Sequence, residues 1–368
     1  MSFEDLLAVP PFGLDQPAKE AMLIEELSAL TAFHLGRCSA YDRIVHALFP
    51  SWGEVPASLE ALPFVPVGVF KSHLLASVDE ADVFKTITSS GTTRQVPSRV
   101  VLDRETAERQ ARALAAIMGR VLGPARLPML LVDHPGVLRD RRSFSARGAG
   151  VLGMMALGRS HTWLLDEETR LDRAALDRFL RAHGSRPFLV FGFTFMVWRH
   201  LYEELAGSGV DMGNGVLVHS GGWKALEAEA VDNDTFRREL ASQLGLSRVH
   251  NFYGMAEQVG SVFLEAPDGW LRAPSFAEVI IRDPTTWEPA PDGAEGVVQV
   301  LSVLPKSYPG HSILTEDLGV VDGHGDPAAG WGGRRLRVLG RVPRAELRGC
   351  SDVIAAGATP LPAAGGRR

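Results

Sequence analysis

Between Asp103 and Phe252 short apolar runs alternate with segments of helical period, and no other feature of the chain restricts its fold as tightly. Residues 129–132 (MLLV), 188–191, 216–218 and 248–252 have the length of buried strands. Asp103 is placed to cap a helix reaching about Leu122, which Gly123-Pro124 stops. A second helix is expected over 171–183, with Leu171, Leu176, Phe179 and Leu180 on one face. A third runs from a cap at Asp234 to Leu244 and closes on Gly245. Strands separated by helices argue for a mostly parallel sheet covered by helices, an α/β fold.

The flanks read differently. Residues 17–49 have apolar positions at helical spacing. Pro50, Pro56, Pro63 and Pro66 then punctuate an extended stretch up to Phe70 and Lys71. After about residue 271, strands at 279–281, 297–301 and 336–338 are divided by Pro/Gly/Asp turns. The expected organisation is an α/β body over 1–270 that opens with a helical segment over 1–60, a β-rich subdomain over 271–352, and a low-complexity tail over 353–368. A chain of 368 residues is long for one core, in keeping with such a division.

The formal net charge is −6 and the basic residues form no stripe, so a nucleic-acid surface is not expected. An anionic ligand must then be held by a local site rather than by the field of the whole protein. No run of 18 apolar residues occurs, so no membrane span is expected, and the first residues lack a signal-peptide pattern. Two cysteines in dissimilar contexts, Cys38 and Cys350, point to a reducing cytoplasm.

Four segments carry candidate chemistry. Ser89, Ser90, Gly91, Thr92 and Thr93 place small hydroxyl side chains around a glycine, which lets backbone and O–H donors approach a phosphate closely. The same composition also makes an ordinary polar loop. Asn251-Phe252-Tyr253-Gly254-Met255-Ala256-Glu257 lies at a predicted strand end, where open α/β sheets bind ligands. Tyr253 offers a flat face and a hydroxyl, and Glu257 an oxygen ligand for Mg²⁺. Thr315-Glu316-Asp317 presents a carboxylate suited to ribose hydroxyls or, equally, an acidic turn. Arg341 after Gly340 can pair with a phosphate or simply face water.

In order and spacing these segments resemble the adenylate-forming superfamily of acyl-CoA synthetases. Within it, the chain is similar to the LuxE-type acyl-protein synthetases, also called long-chain-fatty-acid–luciferin-component ligases. The resemblance is carried by FVPVGVFK (64–71), SSGTT (89–93), FSARGAG (144–150), FGFTFMVW (191–198), HSGGWK (219–224), NFYGMAEQ (251–258), SYPGHSILTEDLG (307–319) and RGCSD (348–352).

The resemblance implies an ATP-dependent ligase that joins a carboxylic acid, in this family a long-chain fatty acid, to AMP. Ser89 to Thr93 would embrace the ATP phosphates, with Thr92 and Glu257 holding Mg²⁺. Gly221 and Gly222 would line the adenine, Tyr253 would pack on it, and Asn251 and Gly254 share its motif. Asp317 would hold the ribose, and Arg341 would sit near phosphate or ribose. Lys224 is either a catalytic cation or a solvated lysine. Cys350 would accept the acyl group as a thioester and deliver it to an acyl reductase or acyl-carrier partner, with Arg348 favouring the thiolate. Most of the aromatic run 191–198 is expected to be core, with one or two residues lining an acid pocket.

The chain departs from the superfamily in three places. Arg94 stands where the phosphate loop usually continues with glycine. The mobile C-terminal lid domain with its catalytic lysine is expected to be absent. FSARGAG and the preceding Asp133-His134-Pro135 have no evident role, with Arg147 suited to phosphate or to a structural contact. Two further readings stay open: a ligase passing acyl-AMP to coenzyme A, a carrier protein or an amine, and a non-catalytic nucleotide-binding module.

Overall fold

The computed structural model describes residues 3–53, 56–88, 97–138, 146–223 and 230–342. Fourteen strands organise it: β1 Val65–Pro66, β2 Lys85–Thr88, β3 Arg99–Leu102, β4 Leu127–Leu131, β5 Gly158–Trp163, β6 Phe188–Phe193, β7 Gly215–Ser220, β8 Arg248–Tyr253, β9 Phe263–Glu265, β10 Leu271–Arg272, β11 Ala277–Arg282, β12 Glu295–Ser302, β13 Ser312–His324 and β14 Arg334–Arg341. Twelve of them join one sheet in the order β11-β12-β13-β14-β10-β9-β8-β7-β6-β4-β5, with β1 on β13. Strands from both sides of residue 270 thus share a single hydrogen-bonded sheet.

The sheet changes character at β8. From β5 through β4, β6 and β7 to β8 every pairing is parallel. From β8 to β11 every pairing is antiparallel. The parallel half explains its own sequence. Both faces are covered, so its strands are apolar on successive residues rather than on alternate ones. Met129, Leu131, Leu189, Phe191 and Val218 face the helices Arg104–Leu122 and Ala146–Met155. Leu130, Val190, Leu217 and Val249 face the helices Arg173–His183 and Asn233–Leu244.

Aspartates start the helices. Asp103 accepts from the Thr106 amide at 2.7 Å, as expected, and Gly123 ends that helix at φ 76°. The cap expected at Asp234 is instead Asp232, which accepts from the Thr235 amide at 2.8 Å. Both aspartates fit the composition of a helix start, and only the fold distinguishes the residue that caps from the one in the first turn. Gly245 closes that helix at φ 70°, as expected. The expected N-terminal helix is two, Gln16–Leu35 and Ser39–Leu48, and Cys38 sits buried between them rather than within a helix.

A buried ion pair ties the first long helix to β11. Lys19 Nζ lies 3.1 Å from Glu278 Oε2, with both side chains almost fully buried. Lys19 also donates to the Ala273 carbonyl at 3.1 Å, in the connection between β10 and β11, so burial of its charge is matched by two partners. Among the described residues no helix is long and apolar enough to cross a membrane.

Candidate active site

The carboxyl ends of the parallel strands converge on one rim, the position where open α/β sheets bind ligands. Phe193 and Thr194 stand at the end of β6, Gly221 and Gly222 follow β7, and Tyr253, Gly254 and Glu257 stand at or after the end of β8. The antiparallel half brings the second wall. Asp317 on β13 stands directly opposite Arg341 on β14, and Arg341 Nε lies 3.7 Å from Asp317 Oδ1. Tyr253 Oη donates to Asp317 Oδ2 at 2.7 Å. Three residues expected from separate segments are therefore brought together.

A bulge explains how Asp317 reaches the rim. The β12–β13 pairing steps from Gln299↔Leu314 to Val297↔Leu318, so Thr315, Glu316 and Asp317 together oppose Val298. The Thr315 hydroxyl donates to the Val298 carbonyl at 2.7 Å, and the Asp317 amide donates to that hydroxyl at 3.1 Å. Bulges of this kind re-aim side chains.

The electrostatics follow from burial. Burial first, and then the Asp317 charge, push the Tyr253 phenol well above its ordinary pKa, so it stays the donor. Burial raises the Asp317 carboxyl, while the bond from Tyr253 and the charge of Arg341 pull it back. Glu257 lies in the short turn Ala256–Gln258 and is buried. Its carboxyl is raised by burial, against the Ser98 hydroxyl bond and the Lys71 charge that lower it. As a single oxygen donor beside a rim, Glu257 suits Mg²⁺, which takes one or two protein carboxylates and keeps phosphate oxygens and water for the rest.

Glycines set the clearances. Gly221 has φ 86°, and a Cβ there would meet the Phe193 ring at 3.4 Å. The same ring lies 3.7 Å from a Cβ built on Gly150. A Cβ on Gly222 meets nothing within 4 Å, so its surroundings are open. In the aromatic run, Phe191, Met196, Val197 and Trp198 are core, while Phe193 and Phe195 are partly exposed.

Several expected site residues lie outside the described residues: Ser89, Ser90, Gly91, Thr92, Thr93, Lys224 and Cys350. The strands on either side of residues 89–96 in the chain are described: β2 and β3 pair antiparallel from Lys85↔Leu102 to Thr88↔Arg99.

Glu265 and Gly310 support the site without having been singled out. Glu265 on β9 is buried and accepts from the Asn251 amide at 2.7 Å, from Arg237 at 3.2 Å and from Asn233. It fixes β8 to the helix Asn233–Leu244 just below the rim. Gly310 packs on the backbone of Glu257: a Cβ there would run into the Tyr308 ring and would meet the Glu257 carbonyl at 2.8 Å. Arg147 grips Asp133 with two bonds, 2.5 and 2.9 Å, which joins the two segments that had no evident role. In the sequence, Gly310 showed only as a member of the block SYPGHS, whereas Arg147 was read as suited to phosphate or to a structural contact; the structure shows the contact, and nothing in the sequence paired it with Asp133.

The chain matches the acyl-protein synthetase family LuxE over residues 4–359. The chain belongs to that family. It is accordingly an enzyme, an acyl ligase of the AMP-forming type. The long-chain-fatty-acid–luciferin-component ligase of Vibrio harveyi is 25% identical over 319 residues, spanning 81% of this chain and 79% of that protein. The Aliivibrio fischeri ligase of the same name is 23% identical over 311 residues, spanning 80% and 78%. Among solved structures, an open conformation of 2-hydroxyisobutyryl-CoA ligase, in complex with 2-HIB-AMP and CoA, aligns over 90% of this chain and 76% of its own. Its TM-score is 0.66 at 16% identity. The fold of this LuxE-family chain is that of the adenylate-forming ligases.

Proposed function

We propose that this protein uses ATP to convert a long-chain fatty acid to acyl-AMP, and then takes the acyl group onto Cys350 as a thioester for delivery to an acyl reductase-type partner. The convergence of Tyr253, Asp317 and Arg341 at the end of β8 carries the reading, because it assembles a ring suited to stacking on a base, a hydroxyl acceptor and a cation. The family membership and the names of the two relatives support the choice of acid.

In this reading Asp317 accepts from the ribose hydroxyls and Tyr253 packs on the adenine, against Gly221 and Gly222. Asn251 and Gly254 complete that wall. Ser89 to Thr93 hold the phosphates, and Arg341 and Lys224 supply positive charge. Glu257 and Thr92 would hold Mg²⁺, which would offset phosphate charge. A carboxylate oxygen of the acid attacks the α-phosphorus, and the bond to pyrophosphate breaks as pyrophosphate leaves. The chain's contribution to that step is positioning and charge stabilisation. The Cys350 thiolate then attacks the acyl carbon and AMP departs.

The test is incubation with Mg·ATP and radiolabelled myristate, comparing wild type with Cys350→Ser. Label that hydroxylamine removes from wild type and that is missing from the variant supports self-acylation. Equal acyl-AMP in both, with no covalent label, moves the final acceptor to coenzyme A, a carrier protein or an amine. Failure of both to form acyl-AMP across a broad panel of acids overturns the ligase reading.

A further inference from the structure

The segment 64–71 is one of the longest resemblance blocks, yet nothing in the proposed chemistry uses it. The structure binds it to the active site. β1 pairs in parallel with β13, Val65 opposite Ile313 and Pro66 opposite Leu314, and the Val67 amide donates to the Leu314 carbonyl at 2.8 Å. The chain then makes the single turn Val69–Ser72, which points Lys71 back at the bulge. Lys71 Nζ lies 3.4 Å from Glu316 Oε1, next in sequence to Asp317. The charge of Lys71 also acts on the Glu257 carboxyl. The turn packs against β3, which itself packs against the turn holding Glu257. One ammonium on the 64–71 segment therefore pairs with a carboxylate of the bulge, and its charge reaches the carboxylate of a second segment.

A stability role does not account for this placement. Both partners are about one-third exposed, and such an ion pair contributes at most about 1 kcal/mol. The backbone bonds of β1 already hold the segment in place. What Lys71 adds is a mobile positive charge on a four-carbon stem, at a rim lined with Glu257, Glu316 and Asp317.

Resting on the ligase reading above, we infer that Lys71 is a further catalytic residue of adenylation, binding the acid's carboxylate and the α-phosphate oxygens as the two anions meet. The new bond joins the carboxylate oxygen to the α-phosphorus, pyrophosphate leaves with the electron pair of the broken bond, and Lys71 keeps its proton throughout. Glu316 holds the ammonium between turnovers and is a positioning residue.

The experiment is acid-dependent ATP–pyrophosphate exchange with myristate by wild type, Lys71→Met and Lys71→Arg, with a thermal midpoint for each. Lys71→Met is expected to lose roughly 100-fold in kcat, with the KM for ATP little changed, because the charge acts where the anions react. Lys71→Arg should restore at least about a tenth of the wild-type rate, since charge and reach survive. Both midpoints should stay within about 2 °C of wild type. Exchange by Lys71→Met at the wild-type rate, or a loss that only follows a lowered midpoint in both variants, overturns the inference. Absence of exchange by wild type across a broad panel of acids is a separate result: it removes the ligase reading itself, and this inference with it.

Discussion

The phenol of Tyr253 donates to Oδ2 of Asp317 across 2.7 Å, tying the last residue of β8 to the bulge in β13, 64 positions along the chain. A bond from a neutral donor to a carboxylate contributes about 1.5–3 kcal/mol to holding that carboxylate in place. Tyr253→Phe should therefore raise the KM for ATP roughly tenfold, measured by pyrophosphate exchange. The variant also loses an interaction that favours ionised Asp317, whose pKa burial has already raised. The acid limb of ATP saturation should move to higher pH. A limb that stays in place would separate Asp317 from ATP binding.

Gly310 leaves no room for a side chain between Tyr308 and the Glu257 carbonyl. Gly310→Ala must displace backbone, the costly kind of overpacking, and should lower unfolding stability by about 2 kcal/mol. Denaturant titration reads that loss. Because the displaced atom belongs to Glu257, the Mg²⁺ requirement for exchange should rise as well, whereas a purely structural glycine would leave it unchanged.

Asp133 is buried at the end of β4, and Arg147 makes two bonds to its carboxylate. Arg147→Ala leaves the Asp133 carboxylate buried with the bond from the His134 amide among the described residues, and should cost about 3 kcal/mol. Asp133→Asn should cost less. A double-mutant cycle should return a coupling of about 1–3 kcal/mol. Additive losses would show that the two segments are held together by other contacts.

His34 and His311 stack at 5.0 Å inside the core, between the helix Gln16–Leu35 and the approach to β13. Thr31 and Tyr41 both reach Nε2 of His311, at 2.9 and 3.3 Å. Burial pushes His34 down to about 4 and drives His311 well below the ordinary histidine value. Depressed folded values mean that the neutral rings stabilise the protein above the unfolded pKa near 6.5. That contribution is lost as pH falls toward 4. His34 alone accounts for roughly 3 kcal/mol across this window. Stability measured from pH 7 to pH 4 should fall steeply in wild type, and the slope should flatten in His34→Gln.

The parallel half of the sheet was largely legible, because a strand covered on both faces shows as an apolar run and an amphipathic helix shows its own period. The ends of those helices were legible wherever one residue type dominates the geometry, as at Gly123 and Gly245. Asp232 was missed for Asp234 because both offer the same side chain two positions apart. The joining of the β-rich strands to the same sheet was not legible, since the short strand β10 that links β9 to β14 has only two residues. Within the site, Tyr253, Asp317 and Arg341 stood out separately, and their meeting depends on a bulge that no local pattern announces. Lys71, Glu265 and the Asp133–Arg147 pair owe their positions to contacts between distant segments. Single-residue chemistry does not encode such contacts.

Strand β8 has a parallel neighbour on one edge and an antiparallel neighbour on the other. A slip by one residue would have to break two ladders of opposite polarity at once, and would turn Val249 out of the core. The height of Tyr253 above the sheet is therefore locked from both sides, so on the proposed reading a nucleotide's base would be set against a ruler built into the hydrogen-bond lattice.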